Sequence, residues 1–136
     1  MSQFLEQAKH NERFLAELED KIPDDFFDWK ITITYYAVLQ YIKHYIEYHS
    51  AGTAYTLSSH IKIKKTIDPA INTRGWALDA PIFTKYLSLE TLSRDNRYIG
   101  MIDPETSKIQ ATSDYPIALQ LKEDIKNHFI GLGFTF

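Results

Sequence analysis

Hydrophobic positions along this chain recur mostly at three- and four-residue steps. Phe4, Leu5, Ala8, Leu15, Leu18 and Ile22 mark one stripe, which predicts an amphipathic helix over Ser2 to Lys21. Asn11 falls inside that stripe, either as a satisfied amide or as an oriented polar group at a contact. Glu17 and Lys21 are one turn apart and suited to pair, and Pro23 ends the helix. The stretch from Phe26 to His49 follows and holds no Gly or Pro. Its apolar residues fall on nearly every side of a helical wheel, so a helix there must be buried on most faces. Lys30 to Tyr35 also alternates like a strand, but strands seldom exceed about ten residues, and helix is preferred for the whole run. Gln40, Lys43 and His44 break it well short of the roughly 18 apolar residues of a membrane span. Asp24, Asp25 and Asp28 are the candidate caps at its start. Two stripes are distinguishable: Trp29, Ile33, Tyr36 and Gln40 on one side, and Ile31, Tyr35, Val38, Ile42, Tyr45 and His49 on another. Trp29 is expected in the core.

Beyond this run the pattern predicts a loop over Ser50 to Thr56 and a helix over Leu57 to Ile71, capped by Ser58 or Ser59. Asp68-Pro69 is a reason for that helix to stop early. Asn72 to Gly75 reads as a connector. A fourth helix is expected from Asp79 or Ala80 through Leu92, with Ile82, Phe83, Tyr86, Leu87 and Leu89 inward. Two short apolar runs around Asp103 to Lys108 suggest a small hairpin or an irregular excursion. The last helix is predicted from Ser113 or Asp114 to about Ile130, with Pro116 near its first turn and Gly131 as its stop. Phe134 and Phe136 are expected to dock the tail. The architecture expected is a single domain over residues 1–136, an all-α, up-and-down bundle of about five helices.

Composition narrows the chemistry. The 136 residues carry a formal charge of −3, so a nucleic-acid contact requires a local basic patch. The absence of Cys removes disulfides, thiolate metal sites and Cys nucleophiles. His44 and His49 are five apart, poor spacing for a helical metal pair, and no metal or cofactor is expected. The polar first twenty residues do not read as a signal peptide, which makes a cytoplasmic location and no membrane contact the default. Nine Tyr and eight Phe point to a dense core or a self-association surface.

Two polar clusters remain. His60 and Lys64 form an i, i+4 pair near Lys62 and Lys65, suited to a phosphate or carboxylate or simply to a solvated basic face. Arg94, Asp95, Asn96 and Arg97 are the densest polar group in the chain. Two Arg three apart on one side of a helix end suit a phosphate backbone, while Asp95 offers the alternative of a structural ion-pair knot. The candidate ligand-binding residues are therefore His60, Lys64, Arg94, Asp95, Asn96 and Arg97. Of these, His60, Arg94 and Arg97 are the catalytic candidates if any catalysis exists. Asp24, Asp25 and Asp28 read as caps rather than as acid–base pairs.

The order of features resembles the HEPN superfamily of helical domains. The residues concerned are His10-Asn11 with Phe14-Leu15, then Asp28-Trp29-Lys30 through Tyr35-Tyr36-Ala37-Val38-Leu39. His60 with a basic residue one turn on, Leu92-Ser93-Arg94 and Arg97-Tyr98 complete the match, over roughly residues 8–98. The resemblance implies a core of four or five helices, a homodimer, and either ribonuclease activity or a non-catalytic role beside a nucleotidyltransferase or an antitoxin. Catalytic members carry Arg, four to six residues, then His, and no Arg here has a His at that distance. Gln40 also stands where related sequences carry His. The resemblance thus implies a non-catalytic module binding RNA, a nucleotide or a partner protein. A divergent metal-independent ribonuclease and a purely structural interaction module are the alternatives.

Overall fold

A computed structural model describes residues 2–50, 59–71, 77–100 and 103–136. Among these the chain is all-helical, with five helices: α1 Gln3–Lys21, α2 Phe27–Ser50, α3 His60–Ile67, α4 Ala80–Gly100 and α5 Pro104–Gly131. The loop and connector expected around residues 51–56 and 72–75 lie outside the described residues. None of these helices is long and apolar enough to cross a membrane.

The long aromatic run is the centre of the bundle, since α2 packs against α1, α4 and α5. Ile31, Tyr35, Val38 and Ile42 of the second stripe are fully buried and Tyr45 is buried, whereas His49 at its end is exposed. The strand-like alternation is absorbed by local bonding. Thr32 Oγ1 donates to the Asp28 carbonyl (3.1 Å) and Thr34 Oγ1 to the Lys30 carbonyl (2.8 Å), so both buried hydroxyls are satisfied inside the helix.

Several helix ends have a traceable cause. Ser2 caps α1 by accepting from the Phe4 and Leu5 amides, and its hydroxyl donates to Glu47 near the far end of α2. The expected Glu17–Lys21 pair forms at 2.9 Å. At the C-terminus of α1 the chain turns, and Phe26 takes a positive φ of 58°. Its carbonyl accepts the first α2 bond, from the Lys30 amide, and the Asp25 carboxylate holds its own N–H. Ser59 caps α3, which stops at Ile67 before Asp68-Pro69.

Three expectations are overturned. Trp29 is 59% exposed, and the core position beside it belongs to Lys30, which is wholly buried. The Lys30 ammonium donates to the Ile22 carbonyl (2.6 Å), tying off the end of α1, and lies over the Phe27 ring at 4.7 Å. The fourth helix runs past Leu92 to Gly100, because its inner stripe continues through Ser93 and Asn96, both fully buried. The hairpin is absent among the described residues. Asp103 caps α5, with Pro104 in its first turn, so turn-forming residue types here start a helix. Pro116 accordingly lies inside α5. It deprives the Thr112 carbonyl of its i+4 donor, and exposed Thr112 can give that oxygen to water.

The C-terminal tail closes one end. Phe134 packs on Tyr45 and Tyr48, and Phe136 sits 4.6 Å from the Tyr41 ring. Across the bundle, Tyr115 of α5 donates to Glu19 of α1, and Lys126 pairs with Glu12 at 3.1 Å.

Candidate functional site

The exposed side of α2 is the stripe Trp29, Ile33, Tyr36 and Gln40, and it forms the floor of a trough. One wall is α1. There Phe14, Leu18 and Ile22 face Phe26, Trp29 and Ile33 across an almost wholly apolar groove. Phe14 is 52% and Phe26 47% exposed. Further along, Gln7, Asn11, Tyr36 and Gln40 line a more polar part of the same groove. Asn11 accepts there from the Gln7 amide at 3.0 Å rather than sitting in the core.

On the other side of Tyr36 the chemistry changes. Tyr35 and Tyr36 of α2, His60 and Lys64 of α3, and Glu90, Arg94 and Arg97 of α4 line one open cleft of about 310 Å³. Helical spacing explains the convergence. His60 and Lys64 are one turn apart, and Glu90, Arg94 and Arg97 follow at four and three residues, so each set shares a face. Three cations meet one carboxylate in this cleft on a chain that is acidic overall.

The back of the cleft is a buried hydrogen-bond network. The Tyr35 hydroxyl lies 2.6 Å from His60 Nδ1, 3.3 Å from the Tyr86 hydroxyl and 3.4 Å from Glu90 Oε2. Glu90 Oε1 takes a 3.0 Å ion pair from Lys64. Burial, reinforced by Tyr86 and then Glu90, pushes the Tyr35 phenol far above its ordinary range. Burial also raises Tyr86, against the opposing effect of its bond to Tyr35. Both phenols therefore keep their protons. At the mouth, Arg97 Nε donates to the Ser93 carbonyl (3.2 Å), and among the described residues no carboxylate pairs with it. Arg94 is 61% exposed, with Asp95 a loose 3.8 Å away.

Four of the six residues singled out in the sequence thus share the cleft: His60, Lys64, Arg94 and Arg97. Asp95 only flanks Arg94. Asn96 turns the other way, donating to the Leu92 carbonyl and to Asp114 of α5, so it joins helices rather than lining the cleft. Tyr35, Tyr36 and Glu90 were not singled out as site residues. Glu90 was legible in principle, one turn before Arg94 and one turn after Tyr86. Nothing in the local pattern links Tyr35 to His60, because that contact spans the bundle. No protein-family model, curated protein or solved structure matches this chain.

Proposed function

We propose that this chain is a non-catalytic HEPN-like module that captures a phosphate-bearing ligand, RNA or a nucleotide, in the cleft between α2, α3 and α4. The observation that supports this reading is the convergence of His60, Lys64, Arg94 and Arg97 beside an aromatic wall. Guanidinium groups suit phosphate oxygens, and Tyr36 offers a ring face or edge to a base. The module acts as a homodimer or with a partner protein, such as a nucleotidyltransferase or an antitoxin, through the apolar part of the trough. Exposed apolar surface of this kind marks interaction sites.

A divergent ribonuclease is the second reading, favoured by one observation: His60 shares the cleft with both arginines. There His60 is the general acid or base and the arginines hold the reacting phosphate. The missing Arg–His spacing favours binding without cleavage.

The test is anisotropy of a labelled single-stranded RNA, with ATP as a competitor, over a salt series. Arg94→Ala with Arg97→Ala is expected to weaken binding at least tenfold and to flatten the salt dependence, with the helical circular dichroism unchanged. Unchanged affinity in the double variant removes the site. Cleavage of the RNA by native protein but not by His60→Ala establishes the ribonuclease reading instead.

A further inference from the structure

We propose that Tyr35 is a positioning residue that fixes His60 with its proton on Nε2, so that neutral His60 presents an N–H donor to an oxyanion in the cleft. This rests on the reading of the cleft as an anion site and names how that site recognises its ligand.

The geometry has three parts. First, the bond from the Tyr35 hydroxyl to His60 Nδ1, at 2.6 Å, is the shortest that hydroxyl makes. Its other two neighbours, the Tyr86 hydroxyl and Glu90 Oε2, lie at 3.3 and 3.4 Å. Second, burial, with Tyr86 and then Glu90 beside it, keeps the phenol protonated, and we place its single hydrogen on the nearest of its three neighbours, His60 Nδ1. A neutral imidazole that accepts at Nδ1 must carry its hydrogen on Nε2. Third, the ring plane is held from two sides. Tyr35 stacks on His60 with 24° between planes, and Tyr36 meets it edge-on at 85°. Nε2 lies across the ring from the buried hydroxyl, and His60 itself is exposed.

The consequence is selectivity of kind. In this tautomer Nε2 has no lone pair to offer, so His60 does not serve a metal ion or a ligand N–H. It serves an acceptor, and Arg94 and Arg97 at the same mouth make that acceptor an anion. Glu90, tied to Lys64 at 3.0 Å, sits behind Tyr35 and keeps its second oxygen facing the phenol. Orientation of a ring nitrogen through its other nitrogen is the arrangement by which outer residues set the tautomer of histidine ligands.

Two measurements test this on the full chain. Long-range ¹H–¹⁵N correlation at pH 8, without ligand, reads the His60 tautomer directly. A dominant Nε2–H form in the native protein, changing to a mixture in Tyr35→Phe, is expected. A dominant Nδ1–H form, or identical spectra in the two proteins, overturns the proposal. The second readout is affinity for a 12-nucleotide oligouridine. Tyr35→Phe is expected to lose about fivefold and His60→Ala tenfold or more. His60→Gln, whose side-chain amide also supplies an N–H at the cleft side, is expected to stay within threefold of native. Loss in His60→Gln equal to that in His60→Ala also overturns it, and this surface variant does not depend on the core tolerating Tyr35→Phe. Native protein that shows the Nε2–H form but binds neither RNA nor ATP refutes the anion site while the positioning by Tyr35 stands.

Discussion

Lys30 and Trp29 exchange the places that their side chains suggest. The end of α1 leaves carbonyl oxygens without helical partners, and each is better off with a donor. Lys30 supplies it: a four-carbon stem passes through the apolar layer, and the ammonium reaches the Ile22 carbonyl at 2.6 Å and the Pro23 carbonyl at 3.4 Å. A cation at that end also complements the helix dipole, and Phe27 and Tyr115 shield it with their rings. Lys30→Met keeps the stem but removes the charged donor to both carbonyls. It is expected to cost about 1–3 kcal/mol, read as a lower urea midpoint at unchanged m-value. An unchanged midpoint means the ammonium adds nothing beyond its stem. Residue hydrophobicity ranks these two positions in the opposite order, which is why the sequence reading placed Trp29 inside. The stripe Trp29, Ile33, Tyr36 and Gln40 was visible as a separate face of α2. What it lacked was any local sign that this face is the open one.

At the scale of the element, the legible features were those written in short-range periodicity. The bounds of α1 and α2 and the stop of α3 before Asp68-Pro69 follow from caps, stripes and breakers. The far end of α4 and the start of α5 did not, for the same reason. Buried Ser93 and Asn96 make the seam between these helices partly polar, and Asn96 is paired by Asp114, eighteen residues on. A stripe that turns polar reads as a helix end until its partner helix is known. The end of α5 shows a further coupling. His44 of α2 has ring contacts with Phe134 and Phe136, and burial holds its imidazole below the usual histidine range, with Glu47 opposing weakly. A histidine held low in the folded state binds its proton first in the unfolded state. It therefore has no effect on stability at high pH and lowers stability as pH falls below about 6.5. Thermal melting is expected to drop across pH 6.5 to 5 more steeply in the native chain than in His44→Gln. Parallel melting curves for the two proteins would show that His44 is not the group responsible.

For the whole molecule, the chemistry is sorted onto one side of α2. Tyr36 divides a cationic cleft from an apolar groove that ends at Phe26 and Trp29, beside Asp25 and Asp28. On the proposed reading, an acidic chain that places Lys64, Arg94 and Arg97 around one cleft draws anions there, because local potential rather than net charge governs approach. The groove carries a different function on the same reading. Its aromatic residues are exposed, and one of them, Phe26, holds a backbone conformation that non-glycine residues seldom adopt. Strain retained beside an exposed aromatic cluster fits a surface shaped for contact rather than for the fold. Stability and association are therefore separable. Trp29→Ala is expected to change unfolding free energy by less than about 1 kcal/mol, as surface substitutions do. Phe14→Glu with Trp29→Glu is expected to convert a homodimer to monomer in sedimentation equilibrium, with the RNA affinity of Arg94 and Arg97 retained per chain. A native chain that is already monomeric at 100 μM assigns the groove to a different partner protein. Loss of folding in Trp29→Ala returns the tryptophan to the core and removes the groove as an interface.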